Sequence, residues 1–256
     1  IITGGSSGIG QACALEYGQK SYNVVFTGRN DQRIKETEAL LESKGIAFLS
    51  MNVDAASEEG AKEVINATVE KFETIDVLVC NAGISMRALF EEVDLKVFED
   101  VMNINFMGSV YYVKYALPYL LKSKGSIVAV SSINGHRGTP ARTAYTASKY
   151  AMEGFFEALR TEVMYRGVHI LVVSPGFTGT NIRNTALTAE GKVQGESPRD
   201  ESKMMTSEQV AQQKKKRDIV LTTQGKLAVF LNKWIPATMD KIVYKVMAKE
   251  PDSPFK

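Results

Sequence analysis

Short apolar runs alternate with longer amphipathic stretches along almost the whole chain, and this alternation limits the folds available to it. Strands are predicted at residues 1–3, 23–28, 48–53, 75–80, 126–132, 169–174 and 218–222. Helices are predicted between them at residues 9–20, 30–44, 57–73, 94–123, 143–166 and 207–215. Strand runs such as VLVC and ILVV lack polar alternation, as is typical of parallel strands covered on both faces. With right-handed crossovers, the pattern predicts an α/β fold with a doubly wound, seven-stranded parallel sheet in a single domain, residues 1–256.

The composition narrows the class of protein further. The 256 residues are 44% hydrophobic and 23% charged, which is ordinary for a globular domain with a full core. The formal net charge of +2 is too small to indicate a nucleic-acid partner. No apolar run long enough for a membrane-spanning helix is present. Cys13 and Cys80 lie in predicted core elements without paired spacing, which favours a reducing, cytoplasmic location.

Two places suggest that the sequence lacks residues. It starts inside a predicted strand without an initiator Met, so we expect residues before Ile1, and a targeting segment there is an open alternative. The crossover at 207–217 is short, with Val210 and Ala211 as its apolar positions. Either residues are absent near Gln213, or a short, solvated helix ends there in a basic run.

The chain opens with IITGGSSGIG, an apolar run that enters a glycine-rich turn and then a helical pattern. Glycine lets the backbone approach a pyrophosphate closely, and a helix N-terminus presents unpaired N–H groups to the anion. The spacing G-x-x-x-G-x-G differs from the commoner G-x-G-x-x-G, and a plain strand–helix connection is the alternative. The strand–turn–helix context predicts dinucleotide binding by Gly4, Ser6, Ser7, Gly8, Ile9 and Gly10.

A second signal lies in the segment SSINGHRGTPARTAYTASK. Tyr145 and Lys149 are four residues apart and therefore lie on one face of a helix, about one turn from each other. The Lys149 ammonium should lower the pKa of the Tyr145 phenol, which could then exchange a proton with a carbonyl or alcohol oxygen. Ser132 ends an apolar strand, and its hydroxyl could hold the same oxygen. On spacing alone, an ordinary amphipathic surface pair is the alternative interpretation.

Taken together, these signals resemble the short-chain dehydrogenase/reductase family in order and spacing, from residue 1 to about residue 223. The matching residues are TGGSSGIG at 3–10, CNAG at 80–83, Asn105, Ser132, Tyr145, Lys149 and the pair Pro175-Gly176. The resemblance implies a Rossmann-type fold and a nicotinamide cofactor. It also implies that Tyr145 is the acid/base, that Lys149 is its partner and a ribose ligand, and that Ser132 holds the substrate oxygen. By the same resemblance, Asn105 anchors a water in a proton relay.

The end of the second predicted strand indicates which cofactor is used. A site that prefers NAD has an acidic side chain there, which accepts from the ribose 2′-OH. This strand ends in Thr27-Gly28 and is followed by Arg29 and Asn30. Because a guanidinium can face a 2′-phosphate, Arg29 indicates NADP(H), with help from Ser6 and Arg33. A solvated loop arginine is the alternative, and Asp31 is expected to serve the helix start.

The remaining cofactor residues follow from the resemblance. Asp54 resembles the acid that contacts adenine, and Asn81 and Gly83 of the CNAG run are expected to pack beside the adenosine. Cys80 stands where this motif usually has Asn, and we expect that change to alter packing without loss of function. The expected positions in these segments are Asp54, Asn81, Ala82, Gly83, Pro175, Gly176, Thr178 and Thr180.

Residues 177–206 form a long stretch rich in Gly, Thr, Ser and Asn, which is typical of a substrate lid. Phe177, Ile182 and Leu187 are either substrate contacts or loop anchors. His136 lies in the loop between the catalytic strand and helix and is interpreted as a loop residue.

Residues 225–249 carry two apolar stripes at helical spacing, separated by Pro236 and flanked by lysines. We predict two amphipathic helices, which either pack on protein or contact a membrane surface peripherally. The latter would add membrane association to a cytoplasmic protein and would suit a lipid-like substrate. The tail and motif set also resemble the branch of the family with steroid, retinoid and long-chain 3-keto lipid reductases.

The sequence therefore predicts an NADP(H)-dependent carbonyl reductase or alcohol dehydrogenase that acts on a small-molecule carbonyl or alcohol substrate of hydrophobic, lipid-like character. No metal is expected in the site. The resemblance further suggests a homodimer or homotetramer assembled through the predicted helices at 94–123 and 143–166. The alternatives are a non-catalytic nucleotide-binding sensor or scaffold, and an epimerase or dehydratase of the same fold. The identity of the substrate and the physiological direction do not follow from the sequence.

Overall fold

A parallel sheet is the framework of the computed structural model, which describes residues 1–195, 204–212, 217–250 and 253–254. Its strands are β1 (Val24–Gly28), β2 (Phe48–Asn52), β3 (Val77–Cys80), β4 (Ser126–Val130), β5 (His169–Ser174) and β6 (Asp218–Val220). β1 pairs with β2, and β3, β4, β5 and β6 pair in that order, all in parallel.

The predicted first strand joins these two groups. Ile2 forms parallel bridges to Phe26 of β1 and to Val79 of β3, so the spatial order is that of a doubly wound sheet. Regular pairing is confined to Ile2, because the chain turns into the glycine-rich segment directly afterwards. Backbone hydrogen bonds from Ile2 to Val25 (2.8 Å) and from Thr3 to Val79 (3.0 Å) fix the segment on both sides. The predicted α/β fold is confirmed.

The helices lie close to their predicted positions. They are α1 (Gly8–Gln19), α2 (Asp31–Glu42), α3 (Glu58–Phe72), α4 (Leu95–Met102), α5 (Gly108–Ser123), α6 (Thr143–Val163), α7 (Ser207–Ala211), α8 (Thr223–Trp234) and α9 (Pro236–Ala248). Two predictions need correction. The single helix expected at 94–123 is interrupted by a π-helical turn at Asn103–Met107. The helix expected at 207–215 ends at Ala211, and residues 213–216 lie outside the described part of the chain.

The two largest of the four hydrophobic clusters among the described residues form cores on opposite faces of the sheet. Within β1, Val25 belongs to one core and Phe26 to the other, because successive strand residues point to opposite faces. The first core contains Tyr112 of α5 and Phe156 of α6, both fully buried. The second contains Leu41 of α2. Helices therefore pack on both faces, and the carboxyl ends of the parallel strands are left open along one edge.

No helix among the described residues is long and apolar enough to cross a membrane. Cys13 and Cys80 are free and buried, and burial raises the pKa of each thiol to about 12. Both cysteines are therefore unreactive core residues at neutral pH.

Close approach of α1 to the glycine-rich turn leaves no room for a side chain at Gly10. A Cβ atom there would lie 2.3 Å from the carbonyl oxygen of Gly4 and 2.5 Å from Nδ2 of Asn81. Gly154, in the exposed middle of α6, has no atom within 4 Å of the same position. Helix α1 and the turn can therefore pack in this arrangement only if residue 10 is glycine.

We expect Gly10→Ala to lower the free energy of unfolding by about 1–3 kcal/mol, the usual cost of overpacking. Gly154→Ala is the matched control and should raise it by about 0.5–1 kcal/mol, because alanine stabilises a helix interior. Urea denaturation of both variants makes the comparison. Equal effects of the two substitutions would show that the turn is not tightly packed against α1.

Candidate active site

A cavity of about 1830 Å³ lies along the carboxyl ends of β1, β3, β4 and β5. Most of the residues predicted for the site line it. These are Gly4, Ser6, Ser7, Gly8, Ile9, Arg29, Asn30, Asp54, Asn81, Ala82, Gly83, Ser132, Tyr145, Lys149, Pro175, Gly176, Thr178 and Thr180. Gly10 and Asn105 were also predicted, but they lie behind the wall of the cavity. Segments far apart in the sequence thus meet at one edge of the sheet, as predicted.

The glycine-rich turn has the backbone shape that a phosphate site requires. Gly4 and Gly8 have φ angles of +63° and +54°, a region that favours glycine. Ser7 precedes α1 without a side-chain cap, so the first N–H groups of that helix face the cavity unblocked. Glycine at the turn and open N–H groups at a helix start together fit the pyrophosphate of a dinucleotide.

Asn81 and Thr3 hold this turn in place. Asn81 donates through Nδ2 to the carbonyl oxygens of Thr3 (2.9 Å) and Gly4 (3.1 Å). The backbone N–H groups of Asn81 and Ala82 donate to Oγ1 of Thr3 at 2.9 and 3.0 Å. Asn81 lines the cavity as expected, but its side chain fixes the turn to the end of β3. The sequence did not reveal this tether, because its partners are about 78 residues apart.

The end of β1 carries positive charge. Arg29 and Arg33 both line the cavity, and among the described residues neither side chain makes an ion pair. The nearby carboxylate of Asp31 does not line the cavity and accepts from Nδ2 of Asn52 at 2.5 Å. These residues fit a 2′-phosphate better than a free 2′-hydroxyl.

Two further predicted residues have local structural roles as well as their place in the cavity wall. Asn30 caps α2 by accepting from the N–H of Arg33 at 2.9 Å. Asp54 accepts from the N–H of Ala56 at 3.0 Å, which fixes the loop after β2. Both side chains are exposed beside the cavity.

Lys149 is a buried cation beside the Tyr145 ring. Its Nζ donates to the carbonyl oxygen of Val130 at 2.9 Å, at the end of β4, and lies 5.7 Å from the Tyr145 ring centroid. Burial lowers its pKa from 10.5 to about 8, although the carboxylate of Glu153 acts in the opposite direction. The ammonium is therefore still mostly charged at neutral pH.

Tyr145 differs from the sequence-based expectation in its pKa. Burial raises the pKa of the phenol, because it disfavours the phenolate. A hydrogen bond with Ser132 and the charges of Arg142 and Arg183 act in the opposite direction without reversing the shift. The prediction of a lowered pKa was wrong for the protein alone, since spacing to Lys149 says nothing about burial. Tyr145 is consequently protonated at neutral pH.

Ser132 is fixed by the turn that follows β4. Its Oγ accepts from the N–H of Asn134 at 3.2 Å and hydrogen-bonds with the Tyr145 hydroxyl. The two hydroxyl groups therefore face the same part of the cavity. They can hold a single carbonyl or alcohol oxygen between them, as an acid/base site requires.

Asn105 lies in the π-helical turn and is fully buried. Its Nδ2 donates to the carbonyl oxygen of Ile84 and to Oγ of Ser148, each at 2.9 Å, and its Oδ1 accepts from the N–H of Ile84 at 2.8 Å. It joins the segment after β3 to α6 beside Tyr145. Since both amide hydrogens are used within the protein, its role as a water anchor stays a prediction.

Arginines of the substrate half of the cavity were missed by the sequence analysis. Arg137, Arg142 and Arg183 all line it. A signal for Arg142 was available, because it precedes Tyr145 by three residues and so lies near it at the helix start. His136 does not line the cavity and contacts Oγ of Ser174 at 3.1 Å, consistent with its interpretation as a loop residue.

Residues of the predicted lid and of the tail line the apolar end of the cavity. In the lid, Leu187 bridges to Met86 and Val193, so it is both an anchor and a lining residue. Residues 196–203 of the predicted lid lie outside the described residues. The two tail helices are present as α8 and α9, split at Pro236. Lining residues from α9 are Met239, Ile242, Val243, Val246 and Met247.

Among the described residues, no group of His, Cys, Asp or Glu side chains is arranged to hold a metal ion. The cavity brings together the hydroxyl groups of Ser132 and Tyr145, the buried ammonium of Lys149 and several lining arginines.

Comparison with known proteins gives a consistent result. The family model for short chain dehydrogenases matches residues 1–191. The chain is 33% identical over 265 residues to dehydrogenase/reductase SDR family member 7B of Mus musculus, covering 99% of this chain and 82% of that protein. It is 36% identical over 198 residues to an 11-beta-hydroxysteroid dehydrogenase of Pinus massoniana, covering 75% of this chain and 55% of the plant protein.

Solved structures share the fold. A 3-ketoacyl-ACP reductase from Sinorhizobium meliloti superposes with a TM-score of 0.77 at 27% identity, covering 88% of this chain and 98% of the other. An alcohol dehydrogenase from Thermococcus sibiricus, complexed with 5-hydroxy-NADP, superposes with a TM-score of 0.75 at 21% identity, covering 86% and 94%. From its motifs, its fold and these relatives, the chain belongs to the short-chain dehydrogenase/reductase family of oxidoreductases.

Proposed function

We propose that this oxidoreductase uses NADP(H) and transfers a hydride between the nicotinamide and a carbonyl group or secondary alcohol of a hydrophobic substrate. The observation that carries the proposal is the pair of hydroxyl groups of Ser132 and Tyr145 in one cavity with the glycine-rich turn and Lys149. A non-catalytic sensor or scaffold would need the cleft but not this pair. A dinucleotide bound in the cleft supplies the hydride or accepts it.

Tyr145 supplies the proton in the reductive direction. Because burial raises its pKa, the phenol is protonated at neutral pH and can donate to the carbonyl oxygen as negative charge develops there. Ser132 donates a hydrogen bond to the same oxygen and orients the carbonyl. In the oxidative direction Tyr145 acts as a base and must first lose its proton.

Lys149 supports both roles. Its ammonium, fixed by Val130, attracts the phenolate that Tyr145 becomes after giving up its proton. Its position under the ring also suits a hydrogen bond to a ribose hydroxyl, as the family resemblance implies. Asn105 fixes the segment after β3 against α6, and a water at its turn would link the site to solvent.

The choice of NADP(H) rests on Arg29 and Arg33 at the end of β1. Both arginines line the cleft without an ion pair among the described residues, and Asp31 is turned toward Asn52. The solved relative with an NADP analogue is consistent with this preference.

A hydrophobic substrate fits the apolar wall formed by α9 and the lid. Met239, Ile242 and Val246 of α9 line the cavity, together with Leu187 of the lid. A similar plant protein carries the name of a steroid dehydrogenase, which also favours an apolar substrate.

The outer surface of the tail supports a peripheral membrane contact. Leu227, Phe230 and Trp234 of α8 are exposed, with Trp234 at 69%, and exposed lysines such as Lys226 and Lys233 flank them. Such a surface suits an anionic membrane face on the cytoplasmic side. Co-sedimentation with phosphatidylserine vesicles tests this contact, which Trp234→Ser should weaken and which absence of any binding would contradict.

We also propose that the protein forms a homodimer or homotetramer through α5 and α6. Several apolar residues of α5 and α6, among them Tyr112 and Phe156, pack fully within the protein's own core. Partly buried ones such as Tyr111 and Phe155 remain for a contact between two copies. A purely monomeric species in sedimentation at micromolar concentration would contradict this assembly.

We expect Tyr145→Phe to lower kcat for carbonyl reduction by about 10²–10⁴-fold, because the variant lacks the proton donor. NADPH should still bind. Tyr150→Phe is the matched control, since Tyr150 lies on the outer side of the same helix and does not line the cavity. Turnover is measured as loss of NADPH absorbance with a panel of carbonyl compounds. Near-normal turnover of the Tyr145 variant would remove Tyr145 from the mechanism.

We expect Arg29→Ala to weaken NADPH binding by about 1.5–3 kcal/mol, roughly 10- to 150-fold in Kd, the range for a hydrogen bond to a charged group. NADH binding should hardly change, because NADH lacks the 2′-phosphate. Arg166→Ala removes an exposed arginine that does not line the cavity and controls for the change in net charge. Titration of each cofactor by fluorescence gives the constants. Equal weakening of both cofactors would refute the contact.

A further inference from the structure

A guanidinium lies in the substrate half of the cavity, close to the reacting position. Arg142 immediately precedes α6 and lines the cavity, and Tyr145 follows it by three residues. Residues three apart at a helix start have Cβ atoms about 5–6 Å from each other. The charge of Arg142 is close enough to act on the Tyr145 hydroxyl. A substrate held by Tyr145 therefore has this guanidinium beside its reacting carbonyl.

The described residues leave this charge without a direct counter-ion. Nη1 of Arg142 donates to Oγ of Ser85 at 2.9 Å, and no described carboxylate lies within ion-pair distance of it. Glu250 acts on Arg142 from farther away, and its carboxylate is 3.6 Å from Arg87. Burial lowers the pKa of the guanidinium, which shows that the surroundings solvate the charge poorly.

The other cations that line this end of the cavity are engaged within the protein. Arg183 is buried and donates through Nη2 to the carbonyl oxygen of Thr178 at 2.9 Å. Arg137 pairs with Asp240 at 2.7 Å, and Lys96 pairs with Asp100. Arg142 is therefore the lining cation whose charge an incoming anion would neutralise most directly. A guanidinium in a poorly solvated wall binds a carboxylate or phosphate more strongly than one in water, because little hydration is lost.

We propose that the substrate carries an anionic acid group a few bonds from its reacting carbonyl, and that Arg142 binds this group while the apolar chain lies against α9. The inference rests on the proposed function, because it places the substrate by its contact with Tyr145. Carboxylate and phosphate monoester share the required chemistry. A neutral ketone of the same length would lack the contact and leave Arg142 without its partner.

The test compares substrates that differ only in the acid group. The probes are 4-oxodecanoate, its neutral methyl ester and 4-oxodecyl phosphate, each followed by NADPH absorbance. For the wild-type enzyme we expect kcat/KM for at least one anion to exceed that for the ester by about 10- to 100-fold. Whichever of 4-oxodecanoate and 4-oxodecyl phosphate has the larger kcat/KM shows whether the site prefers a carboxylate or a phosphate.

Substitutions of Arg142 test whether this residue causes the preference for an anionic substrate. In Arg142→Gln the ratio of kcat/KM for the anion to kcat/KM for the ester should fall to near unity, mainly through a higher KM for the anion. Arg142→Lys should retain part of the preference. Arg160→Gln is the matched control, because it removes a guanidinium that donates to Asp218, outside the cavity, and should preserve the preference.

Several results would overturn the inference. If the wild-type enzyme has the same kcat/KM for the ester as for both anions, it lacks an acid-binding subsite. An unchanged preference in Arg142→Gln would exclude this residue, and weaker NADPH binding with unchanged preference would make Arg142 a cofactor contact. If no carbonyl compound is reduced at all, the proposed function fails. Calorimetry with the NADPH complex then still decides the inference, which requires tighter binding of 4-oxodecanoate than of its methyl ester.

Discussion

The hydrogen bond from Lys149 to Val130 places a positive charge inside the protein, and the geometry of the site depends on it. The bond spans 2.9 Å and joins α6 to the end of β4. It sets the position of Tyr145 relative to Ser132, because one residue lies on that helix and the other directly follows that strand. Burying this charge costs free energy because the ammonium loses hydration, and the same desolvation lowers its pKa. Stability is thus lost at the position where the proposed chemistry requires a cation.

The cofactor half of the site follows a different principle. There the glycine-rich turn presents its backbone to the cavity, and two side chains hold that backbone in place. Asn81 and Thr3 hold the glycine turn, while Gly10 lets α1 approach it. Positive charge is added at the end of β1 by Arg29 and Arg33. The two halves meet along one edge because the parallel strands all end there, which is the usual location of ligands in such sheets.

Much of this arrangement could be predicted from the sequence. The apolar strand runs, the glycine spacing and the interval between Tyr145 and Lys149 each depend on residues close together in the sequence. Such patterns can be identified without knowledge of the tertiary structure. The π-helical turn at Asn105 could not be predicted, because the bonds that hold that side chain come from Ile84 and Ser148, far away in the chain. The pKa of Tyr145 was predicted in the wrong direction, since burial depends on the tertiary fold. Arg142 was overlooked because no motif includes it.

The central claim is that Lys149 is kept charged and buried for function at the expense of stability. The most direct measurement is urea unfolding of wild type and Lys149→Met at several pH values. The lowering of the Lys149 pKa from 10.5 to about 8 corresponds to a loss of roughly 3 kcal/mol in the free energy of unfolding of the wild type at neutral pH. The gain in the variant is smaller than this, because Lys149→Met also removes the hydrogen bond to Val130.

At pH 7 the variant should therefore be more stable than wild type by about 1–3 kcal/mol. Between pH 8 and 10.5 the unfolded wild-type chain binds more protons than the folded one, so the free energy of unfolding of the wild type rises with pH. The difference in stability between the variant and the wild type should therefore shrink over that range. Carbonyl reduction should be lost throughout. A variant that is less stable than wild type at pH 7, with a difference independent of pH, would contradict the account.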